Sequence, residues 1–271
     1  MDTSNLANRM KEYEKRNQYY LQKRTPVAIR VDMRAGHTFT KGFVRPFDEV
    51  FGNAMVRTME YCAKNIGNCV FAYRQSDEIT FILVDYAKLE TDAWFDYRTD
   101  KLCSIAASMA TMRFNQAFSD FLFKWAASVK KWEDNFRTQY ETYSKAMKKG
   151  AMFDARAFNI PKEEVCNLIY WRQLDAIRNS IQMVGQANFS HKELHGKSCN
   201  MIKDMLMTEK GINWDNFPTH QKRGSACRKV EQTVNIAGTV DTISTWEIDL
   251  EMPLLKGEDR EYVDKLVYVG D

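Results

Sequence analysis

Residues 69–85 contain two apolar runs separated by four polar residues. They read Cys69-Val70-Phe71-Ala72-Tyr73-Arg74, then Gln75-Ser76-Asp77-Glu78, then Ile79-Thr80-Phe81-Ile82-Leu83-Val84-Asp85. Valine, isoleucine, phenylalanine and tyrosine favour strands, and a short polar connection between two such runs is typical of a hairpin. We therefore predict strands over 69–74 and 79–85, with Asp77 and Glu78 at the turn between them.

A further strand is predicted upstream, over 27–32, where β-branched residues follow Pro26. Apolar residues at helical spacing predict a helix over 47–66. This order of elements predicts a mixed or antiparallel sheet with helices on one face. In such a sheet the end of the first strand and the hairpin turn can lie side by side, which would bring Asp32 next to Asp77.

The remaining elements are predicted from the same periodicities. We expect helices over 5–22, through most of 97–149, over 161–184 and over 190–210, and strands over 233–236, 242–250 and 262–269. The aromatic residues between Phe114 and Trp132 are expected to pack in the core rather than to form a platform for nucleic-acid bases.

Composition restricts the class of protein. The chain has 271 residues, 44% of them hydrophobic, which is enough for a sizeable core. No apolar run approaches the roughly 18–20 residues that cross a bilayer, and no apolar export signal stands at the N-terminus. The six cysteines form no CxxC pair, so we expect free thiols and a cytoplasmic protein.

The net charge of +3 is unevenly distributed. Residues 1–30 hold seven bases and three acids, and residues 197–229 hold seven bases and three acids as well. Residues 231–271 hold ten acids and three bases. The two basic segments could line a path for a polyanion such as RNA, or they could be solvated helix faces.

The two aspartates have the chemistry of a metal site. Enzymes of phosphoryl transfer often hold Mg²⁺ ions between a pair of carboxylates, and Mg²⁺ prefers oxygen ligands. An aspartate at a strand end or in a turn is more often a capping residue. Asp77, however, stands beside Glu78 between apolar strands, where two acids repel each other unless a cation is near. The basic residues Arg34, His37, Lys41 and Arg45 are candidates for contacts to a triphosphate.

Seven blocks of the sequence resemble, in the same order, the motifs of the tRNA-His guanylyltransferase family. The blocks are Arg30–Phe39, Arg45–Asp48, Tyr73–Glu78, Phe153–Arg156, Tyr170–Asp175, Gly211–Trp214 and Lys222–Ser225. The resemblance covers about residues 25–230. It implies an α+β fold with a polymerase-like palm and a helical extension, and an enzyme that extends a tRNA 5′ end in the 3′→5′ direction after activation by ATP or GTP.

The resemblance also implies roles for single residues. Asp32 and Asp77, with the backbone carbonyl of Met33, would bind two Mg²⁺ ions, and Glu78 would support the catalytic site. Nucleotide would be bound by Arg34, Ala35, Gly36, His37, Arg45, Asp48, Ser76 and Asn213. tRNA would be contacted by Arg172, Arg178, Asn179, Lys222 and Arg223. The resemblance further implies a homotetramer.

Two departures from the family pattern bear on this interpretation. Met33 stands where the family usually has glycine, and this side chain could change how the two metal ions are coordinated. Ile177-Arg178-Asn179-Ser180 replaces the His-Ile-Asn-Asn stretch of the eukaryotic enzymes and resembles the bacterial, archaeal and phage guanylyltransferase-like members. We therefore predict template-dependent repair of truncated tRNA 5′ ends, with a dedicated enzyme that adds one G to tRNA-His as the alternative.

Two other functions are compatible with a palm-like fold. A palm could make a cyclic nucleotide, but the sequence blocks beyond residue 150 argue against this. A degenerate palm could bind RNA without catalysis, but the intact carboxylates argue against that. His191, His195 and Cys199 could form a zinc-binding helix face, although a polar helix face is the simpler interpretation.

The chain is predicted to have three parts. They are a palm-like catalytic part over 1–145, a helical region for nucleotide and tRNA contacts over 146–230, and a strand-rich segment over 231–271 that completes the catalytic part.

Overall fold

An antiparallel sheet forms the centre of the molecule in the computed structural model, which describes residues 4–129, 133–236 and 239–270. Its six strands lie in the order β4-β1-β3-β2-β5-β6. They are β1 Val27–Met33, β2 Cys69–Gln75, β3 Glu78–Leu83, β4 Phe153–Asn159, β5 Ser225–Ile236 and β6 Thr239–Asp249. Each neighbouring pair of strands is antiparallel. The sheet is therefore antiparallel, which is one of the two arrangements that the sequence predicted.

The predicted hairpin is present between β2 and β3. Gln75 pairs with Glu78, so Ser76 and Asp77 form a two-residue turn. Ser76 has a φ of 46°, in the left-handed region that tight hairpin turns require. The turn thus holds Asp77 at the end of the sheet, close to the end of β1.

Helices connect and cover these strands. Those before β4 are α1 Asn5–Lys15, α2 Gly36–Phe39, α3 Glu49–Asn65, α4 Thr99–Ser128 and α5 Asp134–Lys149. Those after it are α6 Lys162–Asn188, α7 His191–Leu194, α8 Cys199–Lys210, α9 Thr219–Arg223 and α10 Glu261–Val267. The α+β fold class is therefore as predicted.

Helices pack on both faces of the sheet. On β1, Val27, Ile29 and Val31 join a core with α3 and α4, whereas Ala28 joins a second core with α6 and α10. This alternation is that of a strand buried on both faces. The prediction of helices on one face accounts only for α3 and α4, because α6 and α10 lie on the other face. Residues of α6 contact β2 directly on that second face.

Aromatic side chains fill the core between the sheet and α4. Phe114 and Phe118 are fully buried and contact Phe39 at ring distances of 5.6 and 5.4 Å. The prediction that this aromatic stretch packs in the core holds for these residues, whereas Phe123 on the same helix is 52% exposed. Trp132, the last residue of the stretch, lies outside the described residues.

Several element boundaries differ from the predictions. Residues 262–269 were expected to form a strand but form α10, because Val263 and Val267 are four residues apart and are buried on one helical face. The strand β4 was not predicted. The helix expected over 190–210 is two helices, separated near Gly196, whose φ is +72°. The helix expected over 5–22 ends at Lys15.

The sheet crosses both of the domain boundaries predicted from sequence. β4 lies in the proposed helical region, yet it pairs with β1 along Val27–Met33. β5 spans residue 230 and pairs with β2. The division into catalytic and RNA-contact parts therefore remains a functional proposal.

Candidate active site

Asp32 and Asp77 lie next to each other at one end of the sheet. Asp32 is the second-last residue of β1, and the backbone amide of the following Met33 donates a hydrogen bond to the carbonyl of Asp77 at 3.2 Å. Asp32 is also paired with Glu78 of β3 on one side and with Asp154 of β4 on the other. The predicted juxtaposition of the two aspartates is therefore present, with two further acids beside it.

Gly36 makes room for the Asp77 carboxylate. A side chain at Gly36 would place its Cβ 2.9 Å from Cγ of Asp77 and closer still to Oδ2. The turn before it is held in place as well, since the amide of Arg34 donates to the carbonyl of Met152 at 2.8 Å. The segment from Arg34 to His37 is thus packed directly against the second aspartate.

The clustered acids disfavour negative charge on Asp32. Partial burial, followed by the charges of Asp77, Glu78 and Asp154, raises the pKa of Asp32 to about 6. A bound divalent cation would reverse this repulsion, so the carboxylates have the character expected of a cation site. Over the described ranges, no group of three or more His, Cys, Asp or Glu side chains could hold a metal ion. Two carboxylates are nevertheless a common protein contribution to a Mg²⁺ site.

Glu78 is occupied by two arginines. Arg172 of α6 donates to both carboxylate oxygens, from Nε at 2.8 Å and from Nη2 at 3.0 Å, and Arg30 lies 3.4 Å from Oε1. All three side chains are at most 14% exposed. Glu78 therefore joins α6 to the sheet beside the aspartates, which is a supporting role.

Polar contacts continue from Arg172 along α6. The Asp175 carboxylate lies 3.1 Å from the Arg172 guanidinium, and it accepts hydrogen bonds from the side-chain amides of Gln75 at 3.5 Å and Asn179 at 3.3 Å. Arg178 also pairs with Asp175 but leaves 65% of its side chain exposed. Of the residues predicted to contact tRNA, Arg172 is therefore buried in the framework, whereas Arg178 is accessible.

A cavity of about 430 Å³ opens beside the hairpin turn. Its wall brings together three predicted residues from distant parts of the sequence: Asp48, Ser76 and Asn179. Asp48 is also the N-cap of α3; its carboxylate accepts from the amides of Phe51 at 2.8 Å and Val44 at 3.0 Å. The cavity volume lies in the range of small-molecule sites.

The other predicted residues do not line this cavity. All four residues of the next group are exposed: Arg34 and Ala35 lie between β1 and α2, His37 lies in α2, and Arg45 lies between α2 and α3. Asn213 accepts from the amide of Asp215 as the N-cap of the one-turn helix Trp214–Asn216. Lys222 donates to the carbonyl of Asp215, and Arg223 donates to that of Met252 at 3.2 Å. In this structure the last three residues make contacts within the protein.

Three cavity residues were missed in the sequence analysis. Arg74, Gln75 and His220 line the cavity, and each has a buried side-chain atom without a hydrogen-bond partner. Partial burial and the charge of Arg74 lower the pKa of His220. The sequence could have indicated Arg74, because it is a charged residue at the end of an otherwise apolar run. Asp154 was part of a quoted block, but its position beside Asp32 depends on β4.

Comparison with known proteins agrees with these observations. The model of the tRNAHis guanylyltransferase family matches residues 7–161, more than half of the chain. The chain belongs to the tRNAHis guanylyltransferase family. This membership confirms the prediction of a nucleotidyltransferase of the tRNA 5′-end type, and with it the palm-like fold.

Individual members of the guanylyltransferase family show the same likeness. A bacterial tRNA(His) guanylyltransferase-like protein in complex with ATP is 38% identical, with a TM-score of 0.78 over 97% of this chain and 100% of that one. A second, in complex with GTP, is 34% identical, with a TM-score of 0.75 over 98% and 100%. The tRNA(His) guanylyltransferase of Saccharomyces cerevisiae is 27% identical over 237 residues, 80% of this chain and 89% of that protein.

The three residues considered for a zinc-binding helix face do not share one helix. The rings of His191 and His195 lie 6.1 Å apart, and Cys199 begins the next helix. None of the three belongs to a metal-capable group within the described part of the chain. In the same part, no helix combines the length and apolarity needed to span a membrane.

Proposed function

We propose that this protein adds nucleotides to the 5′ ends of truncated tRNAs, extending the RNA in the 3′→5′ direction as template-dependent repair. The observation that carries this proposal is the juxtaposition of Asp32 and Asp77 within a guanylyltransferase-family palm. Two structures of family members contain ATP or GTP, which supports ATP and GTP as the substrates here.

Asp32, Asp77 and the carbonyl of Met33 are the residues that would hold two Mg²⁺ ions. When bound, Mg²⁺ would neutralise phosphate charge and lower the pKa of the attacking hydroxyl. The protein's own part is to keep both carboxylates in place. The Met33–Asp77 backbone bond and the space at Gly36 do this, while Glu78 anchors the neighbouring Arg172. Met33 is itself buried, and its side chain packs in the core, so it leaves the carboxylate side of the strand unobstructed.

The exposed basic residues around the start of α2 are suited to the triphosphate. Arg34 precedes Gly36 by two residues and His37 follows it, and Gly36 packs against Asp77. Arginine binds phosphate oxygens with several donors at once. A triphosphate bound by Arg34 and His37 would therefore lie beside the carboxylates, where the reacting phosphorus must be held.

The stretch Arg178-Asn179-Ser180 supports a broad tRNA substrate. Ser180 is buried and donates to the carbonyl of Lys222 at 3.0 Å, which fixes α6 against α9. Arg178 is left exposed on the same turn. A single accessible arginine can bind any RNA phosphate but reads no particular base. This favours repair of various tRNAs over a dedicated tRNA-His enzyme.

The test is nucleotide addition to a panel of RNAs with Mg²⁺ and ATP. We expect addition to several 5′-truncated tRNAs, following the opposing template base, and weaker addition to full-length tRNA-His. Asp32→Ala and Asp77→Ala should each abolish addition while remaining folded, and Asp120→Ala, at an exposed position on α4, should retain it. Addition confined to tRNA-His would support the alternative, and absence of addition to any RNA would refute both.

Incubation with GTP alone distinguishes this function from that of a nucleotide cyclase, because the protein should then yield no cyclic product.

We further propose that the protein is a homotetramer, which light scattering can test. We also propose a cytoplasmic location, which suits an enzyme that acts on tRNA and has six free cysteines.

A further inference from the structure

Trp171 is a tryptophan of α6 that lies open to solvent. The residue is 53% exposed, whereas tryptophans in folded proteins are highly buried on average. Two guanidinium groups lie against its ring, that of Arg172 at 4.7 Å and that of Arg30 at 5.4 Å from the ring centroid. Both arginines are paired with Glu78. The ring is therefore held in place without being covered, and it presents an aromatic surface to a ligand.

The Trp171 ring lies on the same face of the sheet as Asp32. Arg30 and Asp32 are two residues apart on β1, so their side chains point to one face, about 7 Å apart along the strand. Ala28 points to that face as well and packs in the core with α6. Because Arg30 contacts Trp171, a single side chain separates the ring from the carboxylate.

The surface beside this ring is open as far as the carboxylates. Asp154 of β4 pairs with Asp32, and Arg156 pairs with Arg30. Side chains of directly paired residues lie on the same face of a sheet. Those of Asp154 and Arg156 are 64% and 60% exposed. An RNA whose 5′ end reacts at Asp32 therefore has room to reach Trp171.

An unpaired RNA base is the ligand that suits an exposed tryptophan at this position. Unpaired bases stack on aromatic side chains, whereas paired bases are stacked within the helix. A 5′-truncated tRNA leaves unpaired bases opposite its 5′ end, and the first of them directs template-dependent addition. Stacking uses the face of a base, which every base has, and leaves its pairing edge free. A tryptophan can therefore hold any template base while that base pairs with the incoming nucleotide.

We propose that Trp171 stacks on the first unpaired base of the template strand, opposite the nucleotide to be added. This inference rests on the proposed function, because it assigns the residue that positions the template. Arg178 follows on α6, roughly 10 Å along the helix axis and nearly two full turns away, so it lies on a similar side. Its exposed guanidinium is placed to bind a phosphate of the same strand.

The test measures binding of a 5′-truncated tRNA without nucleoside triphosphates, so that no addition occurs. A second RNA lacks only the base at the first unpaired template position. The unsubstituted protein should bind this abasic RNA about 5- to 100-fold more weakly, which is the range of one base–aromatic stack. Trp171→Ala should bind the intact RNA more weakly by a similar factor and should bind both RNAs equally. Trp171→Phe should keep most of the discrimination.

Phe123→Ala is the matched control. Phe123 is an aromatic residue with 52% exposure, and it belongs to α4, which packs on the other face of the sheet. This variant should bind both RNAs as the unsubstituted protein does. Full preference of Trp171→Ala for the intact RNA would overturn the proposal. So would a loss of ATP and GTP affinity in place of RNA affinity, which would show a nucleotide-base site, or a changed mass in light scattering, which would show a subunit interface.

A second comparison uses only the unsubstituted protein and does not depend on the folding of variants. Removal of the base of the 3′-terminal nucleotide should weaken binding much less than removal of the first unpaired template base. Equal effects, or no binding of either RNA, would overturn the proposal. These titrations are independent of the addition assay. Base-dependent binding through Trp171 without any addition would refute the proposed function alone, whereas templated addition with base-independent binding would refute this inference alone.

Discussion

At the scale of single residues, Asp32 makes the stability of the folded protein depend on pH. The pKa of Asp32 is raised to about 6 from an ordinary value of 3.8. The folded state therefore binds this proton more tightly than the unfolded state does. It follows that Asp32 is most favourable for folding below about pH 4 and becomes unfavourable as the pH rises through 6.

We predict that Asp32→Asn raises the melting temperature of the metal-free protein at pH 8, because it removes the repulsion at this cluster. The gain should shrink as the pH falls from 7 to 4. Added Mg²⁺ should stabilise the unsubstituted protein and not the variant. Thermal unfolding at several pH values checks this, with Asp120→Asn as the control at an exposed position. A gain that is the same at every pH would contradict the assignment.

Glu78 is the residue on which two buried arginines depend. Glu78→Gln should lower the free energy of unfolding by roughly 3 kcal/mol, because Arg30 loses its paired carboxylate and Arg172 keeps only Asp175, in a site where the Arg30, Glu78 and Arg172 side chains are at most 14% exposed. The change is measured by urea unfolding. Combining it with Arg172→Met should recover part of the loss, since one of the two cations that face residue 78 is then gone.

The control for this substitution is Glu12→Gln. Glu12 forms an exposed pair with Lys15 on α1, and such pairs contribute at most about 1 kcal/mol. If Glu78→Gln were no more destabilising than this control, the anchoring role of Glu78 would be disproved.

At the scale of elements, the short helix α2 positions the Asp77 carboxylate through Gly36. Gly36→Ala places a methyl group where the carboxylate now lies, so the carboxylate must move. A displacement of about 1 Å in such a site can cost about 10²-fold in rate. We expect a loss of that order in nucleotide addition with a normal circular dichroism spectrum.

Thr38→Ala is the matched control for Gly36→Ala, because Thr38 lies exposed on the same helix. It should retain nearly full activity. Activity of Gly36→Ala equal to that of the control would show that the contact with Asp77 is unimportant.

At the scale of the whole molecule, internal contacts reduce the predicted basic path over 197–229. Several of its bases are engaged within the fold, namely Lys203 with Asp215, Lys222 with the Asp215 carbonyl, Arg223 with the Met252 carbonyl and Arg228 with Glu247. Arg178, outside that segment, is more accessible. The total charge of a segment is thus a weaker guide to RNA contact than the exposure of each base.

Binding of tRNA should therefore depend on Arg178 electrostatically. We predict that Arg178→Ala reduces the slope of log Kd against log salt concentration by roughly 0.7–0.9, the value of one lost phosphate contact. The loss should be similar for different tRNAs. Filter binding between low and moderate salt measures it, and Arg57→Ala should leave the slope unchanged. An unaltered slope in Arg178→Ala would remove this residue from the RNA surface.

Local patterns in the sequence determined the hairpin, the first strand and α3, because each has a complete periodicity and a clear end. The seven ordered blocks identified the family, and the turn that contains Asp77 was readable as a possible metal-binding site. Residues 262–269 were misread because alternating and fourfold apolar spacings coincide in so short a segment. β4 was missed because its pattern is half polar, as befits an edge strand.

Only the tertiary structure decided what surrounds the aspartates. Asp154 reaches Asp32 through the pairing of β4 with β1, and Arg172 reaches Glu78 from a helix 94 residues further along the chain. The same holds for Arg74. Its charge was visible in the sequence, but its burial without an ion pair depends on every element that surrounds it, since burial and pairing are properties of the assembled chain. Local sequence therefore specified the carboxylates, and the packing of α3 and α6 around the sheet made the cavity beside them.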